Sequence, residues 1–201
     1  MNRKFKDIIR SQWLIYLLVI IASFVVSFLS LNFAATPKRE HAFSLFLASY
    51  SNNNTKLQDY MNENKPSYVD KISVNSFRND DENLPIYLSS IGFKHSDLII
   101  IPESRIKTED VATYCAKIDE TIIEKYQFSN FYYVKESPYG VKLYDLDNQI
   151  DELITFGNGQ SDAENYYMFF RKNSYHIGKM NNTEFETAFI FAQKFINYGK
   201  E

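Results

Sequence analysis

The chain has 201 residues, 45% of them hydrophobic and 16% aromatic, with a formal net charge of −3. That composition suits a packed domain of ordinary size and excludes a disordered stalk. Beyond residue 35 there are 18 basic and 24 acidic side chains, a balance that excludes a nucleic-acid-binding surface, which would be basic.

The first predicted element is apolar. A basic tail (Arg3, Lys4, Lys6, Arg10) leads into a run from Trp13 to Ala35 that has no Asp, Glu, Lys, Arg or His. A bilayer core needs about 20 apolar residues as a helix, so the run reads as one transmembrane helix over 13–35. The positive-inside rule places tail 1–12 in the cytoplasm and 36–201 outside the cell. Localisation at the cell membrane as a single-pass protein is the expectation, with the membrane itself as a partner. A cleaved signal peptide fits less well, because its apolar region is shorter, ~7–15 residues, and ends in a small-x-small site. The nearest cut, after Ala34, has Asn32 two residues earlier. Cys115 is the sole cysteine, so no disulfide forms within the chain.

The rest alternates strands and helices. His41–Tyr50 reads as a first strand, and Ser51–Asn54 as a turn and cap signal. Leu57, Tyr60 and Met61 share one face of a helix over 55–62. Val69–Phe77 alternates as a second strand. Leu84, Tyr87, Leu88 and Ile91 mark a helix with Pro85 in its first turn and Gly92 as its stop. Leu98–Ile101 is a continuous apolar run, suited to a strand covered on both faces. Val111, Tyr114, Cys115 and Ile118 mark a helix over 108–117, with Cys115 a core residue. Ile122, Ile123 and Tyr126 mark a shorter one. Phe131–Lys135 and Val141–Tyr144 form a hairpin about a type I turn at Ser137-Pro138-Tyr139-Gly140. Asn165–Phe170 is a strand by aromatic content. Thr183 and Glu186 form a capping box for a last helix whose apolar face carries Phe185, Phe189 and Phe195. The order predicts an α/β fold, a mostly parallel sheet flanked by helices.

Several words in this order resemble one lobe of the extracellular solute-binding proteins that serve ABC importers. They are His95–Ser104 (HSDLIIIPES), the hairpin Tyr133–Tyr144 (YVKESPYGVKLY) and the closing strand and helix of Phe169–Asn197. The likeness implies a single periplasmic-binding-protein-like lobe, with Asp145–Glu164 standing where a second lobe belongs. A lone lobe implies a docking module beside an ABC transporter or another membrane-protein complex. The alternative is direct binding of a small extracellular solute, a sugar, peptide or ion.

In open α/β sheets ligands sit beyond the carboxyl ends of the strands. The candidate ligand-binding residues are therefore Ser49, Tyr50, Ser51 and Asn52 after strand one, Arg78 and Asn79 after strand two, Glu103 and Ser104 after strand three, and Glu136 and Tyr139 at the hairpin. His41, His95 and His176 lack metal-ligand spacing. No nucleophile elbow, P-loop or dinucleotide fingerprint occurs. No catalytic residue, metal or cofactor is expected, and the chain is not read as an enzyme.

Overall fold

The computed structural model describes residues 3–35, 38–51, 55–144, 153–157, 164–181 and 184–198, with side chains in the first helix at 12–13 and 15–30. The chain divides into two compact units, Met1–Lys38 and Arg39–Glu201.

The first unit is one helix, α1 (Arg3–Ala35). Among the described residues no helix is long and apolar enough to cross a membrane, which corrects the transmembrane expectation for 13–35. The single-pass placement, with the tail inside and the domain outside, is withdrawn with it. Ser23 satisfies its hydroxyl within the helix by donating to the Val19 carbonyl at 2.8 Å.

The second unit is built on a six-stranded sheet of order β2-β1-β3-β6-β5-β4. Its strands are β1 (Ala42–Ser49), β2 (Lys71–Arg78), β3 (Leu98–Pro102), β4 (Phe131–Val134), β5 (Ser137–Tyr144) and β6 (Tyr166–Phe170). β1 pairs parallel with β2 and β3, while β6, β5 and β4 follow antiparallel. The expected mostly parallel sheet is therefore corrected to a mixed one. Helical crossovers return β1 to β2 and β2 to β3 in parallel, as such connections must. Of the later strands, β4 and β5 are joined by a tight hairpin, which can only make antiparallel neighbours.

Both faces are covered. One face packs Phe43, Leu45 and Leu47 of β1 against Leu57 and Met61 of α2 (Thr55–Glu63), Ile122 of α6 (Glu120–Tyr126) and Phe189, Phe191 and Phe195 of α7 (Thr187–Asn197). The other face packs Phe46, Ile99 and Ile101 against Leu84 of α3 (Leu84–Tyr87), Phe93 of α4 (Phe93–His95) and Val111 of α5 (Thr108–Tyr114). Covering on two sides explains why every residue of β3 is buried and why its sequence shows no alternation.

Local chemistry differs from expectation at four places, the first being the helix expected over 108–117, which ends at Tyr114 with Cys115 extended and bridged to Arg171. Gly92 does not stop the helix: Leu88–Gly92 forms a π-helical turn that leads directly into α4. The hairpin turns at Lys135 and Glu136, both at positive φ (48° and 65°), the signature of a two-residue type I′ turn whose twist matches the flanking strands. Ser137–Gly140 thus belongs to β5. Gly140 is required there, since a Cβ would lie 2.6 Å from the Phe169 ring. In α7, Glu186 is the N-cap residue and makes no side-chain cap bond. Its carboxylate instead binds Lys125 and accepts from Tyr126 Oη at 2.5 Å. Thr183, the other half of the expected capping box, lies outside the described residues.

Candidate functional site

The carboxyl ends of β1, β2 and β3 lie side by side, because the three strands run parallel in register. Ser49 and Arg78 are direct partners across that edge, so the expected residues of the first three strands meet. Their bonding is specific. Ser49 is buried and donates from Oγ to the Ser51 carbonyl at 2.6 Å. The Arg78 guanidinium donates to both oxygens of Asp80, at 2.8 and 2.6 Å, and lies 6.0 Å from the centre of the Tyr50 ring. The hydrogen bond to Asp80 raises the Arg78 pKa, and the same bond lowers that of Asp80. Both groups are exposed, where solvent screens such pairs. Ser104 donates from its backbone N and its Oγ to Glu164, both at 3.0 Å. Glu103 accepts from Asn165 Nδ2 at 2.6 Å.

The crevice between β1 and β3, where a ligand is expected, is filled by the chain itself. Tyr50 N donates to the Thr155 carbonyl at 2.9 Å, and Phe156 is wholly buried. The Phe156 ring lies 4.6 Å from both Tyr144 and Tyr166. Asn79 Nδ2 donates to Tyr166 Oη at 2.9 Å, which in turn donates to the Phe156 carbonyl at 3.0 Å. Burial pushes the Tyr166 hydroxyl pKa upward, so it stays a neutral donor. Part of the segment read as replacing a second lobe thus acts as a plug.

Glu136 and Tyr139 do not join this group. β5 ends at Tyr144 opposite Tyr166, which itself lies opposite Pro102. The start of β5 therefore lies at the far edge of the sheet, and the hairpin expectation is corrected. Asn52 lies outside the described residues.

Beside the plugged crevice a cavity of about 380 Å³ opens on the other face. Leu84, Leu88 and Phe93, all nearly buried, line it from the helical crossover before β3. Pro85, Ile86 and Ser89 come from the same crossover, and Ile86 is 61% exposed. Ser104, Arg105, Lys107 and Asp110 complete the lining from the loop after β3 and the first turn of α5. The π-helical turn at Leu88–Gly92 widens the crossover where it lines the cavity, a distortion common at functional sites. Arg105 is anchored by donating from Nη2 to the Asn79 carbonyl at 2.9 Å.

Sequence reasoning reached Ser104 and stopped one residue short of the cavity's cations. A signal was present: Arg105 and Lys107 follow a buried strand within five residues of its last apolar position. Leu84 and Leu88, which the spacing marks as part of a helix stripe, also line the cavity.

At the opposite edge of the sheet lies a buried polar cluster. Asp97, 4% exposed, accepts from Ser44 N at 2.8 Å, Ser174 Oγ at 2.7 Å and Arg171 Nη2 at 3.3 Å. His176 is fully buried. Its Nε2 lies 3.1 Å from the Ala42 carbonyl, which only accepts, so Nε2 carries the proton. Its Nδ1 is 3.0 Å from Thr187 Oγ1, itself 3.1 Å from Tyr68 Oη. Ser174 Oγ has no imidazole facing it among these contacts; it bonds the His176 backbone instead, at 2.9 Å. Burial lowers the His176 pKa. Cys115 is buried with its thiol pKa pushed up by the same cause, which suits a core residue and not a nucleophile. Among the described residues no group of three or more His, Cys, Asp or Glu side chains is placed to hold a metal.

No family model, no curated protein and no solved structure matches this chain.

Proposed function

We propose that the domain of Arg39–Glu201 is a small-molecule-binding module whose site is the cavity between the helical crossover before β3 and the loop after it. The observation that carries this reading is the cavity itself. Its volume of about 380 Å³ falls in the range of ~300–1,000 Å³ typical of ligand sites, and a mostly apolar lining with a few charged groups is the usual composition of one. It adjoins the carboxyl edge of the parallel strands, where such folds bind ligands. The central crevice of that edge is occupied by Phe156, which leaves the side cavity as the open space there.

A thermal-shift panel of amino acids, short carboxylates and monosaccharides on the full chain tests this. At least one compound raises the melting temperature, and Ser89→Trp, which fills the cavity mouth from an exposed position, abolishes the rise. A flat response across the panel, or a response that Ser89→Trp leaves intact, refutes the reading.

The second reading is a docking module for a protein partner such as a transporter subunit. The plugged crevice favours it, since a lobe sealed by its own chain does not need a second lobe to close over a ligand. Pull-down with the full chain as bait tests it; recovery of the same partner by the Ser89→Trp variant separates docking from ligand binding.

A further inference from the structure

We infer that the cavity takes a small apolar monocarboxylate, its hydrocarbon body against Leu84, Leu88 and Phe93 and its carboxylate between Lys107 and Arg105. The inference rests on the preceding reading that the cavity is a ligand site, and it adds the chemical class.

Three observations support it. The first is the state of the cations. At the carboxyl edge Arg78 has both prongs on Asp80. The Lys107 side chain, by contrast, makes no hydrogen bond or ion pair among the described residues. Arg105 uses Nη2 on the Asn79 carbonyl, which holds the guanidinium in place and leaves further N–H donors of its five. A fixed fork beside an unengaged ammonium is suited to a carboxylate.

The second observation is the single acid of the lining, Asp110. Two cations and one carboxylate leave a net charge that matches one negative charge and disfavours two. Inorganic phosphate and phosphate esters, dianionic near neutral pH, are the poorer fit. The third is what the lining lacks. It has two hydroxyls, Ser89 and Ser104, but no Asn, Gln, Tyr or Trp. A sugar would leave most of its hydroxyls without a buried partner, at a cost for each. The apolar remainder, including the exposed Ile86, fits an aliphatic or aromatic body instead.

Isothermal titration of the full chain with 4-methylpentanoate, 4-phenylbutanoate, 4-methylpentan-1-ol and inorganic phosphate tests the class. Either carboxylate binds, the alcohol binds about tenfold or more weakly, and phosphate gives no heat. Lys107→Gln, at an exposed position, weakens the carboxylate by about tenfold, the change expected from loss of one charge-assisted hydrogen bond, and leaves the alcohol unaltered. If alcohol and carboxylate bind equally and Ser89→Trp blocks both, the cavity is a ligand site but the class is wrong. If phosphate binds more tightly than the carboxylates, the class is again overturned. If none of the four binds, or binding survives both Lys107→Gln and Ser89→Trp, the class and the site fall together.

Discussion

The two edges of the sheet use polar side chains in opposite ways. At the amino edge, Asp97 receives three donors from two separate segments, and His176 is bonded at both ring nitrogens. At the carboxyl edge the central crevice is sealed by an aromatic plug, but at the flanking cavity the Lys107 ammonium and part of the Arg105 guanidinium have no partner among the described residues. A saturated buried network makes one structure specific. Unsatisfied charge at a cavity mouth is what recognition requires. Polarity alone does not mark a site; polar groups with capacity to spare do.

The largest test of this contrast is Asp97→Ala. It leaves the Arg171 guanidinium, 15% exposed at its side chain, without its carboxylate and strips Ser44 N and Ser174 of their acceptor. Removing one partner of a buried pair costs about 3–5 kcal/mol, read as a fall in the urea midpoint. A cost below 1 kcal/mol would put the amino edge on the same footing as a solvated loop. Next, Phe156→Ala removes a wholly buried ring between Tyr144 and Tyr166 and costs about 3 kcal/mol by cavity formation. If denaturation shows no loss, the plug is a loosely held cover and the crevice returns as a ligand site.

A third test is pH. The folded-state pKa of His176 lies below its ordinary value because burial penalises the charged ring. The unfolded chain therefore binds more protons than the folded one as pH falls through about 6.5. The stability that this residue contributes is complete above that pH and is lost as pH drops toward the folded pKa, with a slope of at most ~1.4 kcal/mol per pH unit. Urea midpoints between pH 7.5 and 5 measure it, and His176→Gln flattens the profile in that window. The smallest effect is at Ser76 on the edge strand β2, whose Oγ is buried without a hydrogen-bond partner among the described residues. Ser76→Ala removes that unsatisfied group and stabilises the fold by about 1 kcal/mol; a destabilised variant would mean the hydroxyl is engaged after all.

Much of the local structure was legible because it rests on periodicity. β1, α2, β3, β6 and the apolar face of α7 follow from the spacing of Leu57 and Met61, the run Leu98–Ile101 and the aromatic series to Phe195. Residues tied to the ends of successive parallel strands, such as Ser49, Arg78, Asn79 and Ser104, were found by one topological rule. The same rule misplaced Glu136 and Tyr139, since it holds for strands of one direction and the hairpin's direction is set by its neighbour. Asp97, Ser174 and His176 are 77 and 79 positions apart from first to second and third, and nothing in their local sequence says they share a buried cluster.

What the amino-acid sequence determined alone is the set of short elements, an acidic balance beyond residue 35, a single cysteine and a chain without a glycine-rich phosphate-binding pattern. These are statements about composition and neighbours along the chain, where propensity and spacing act directly. Tertiary structure decided the rest. It reversed β6 and β4 against the parallel strands, drove Phe156 into the crevice, joined Asp97 to Arg171 and opened the cavity between Leu84 and Lys107. Each of these depends on which distant surfaces bury one another, and that free energy belongs to the assembled core rather than to any segment of it.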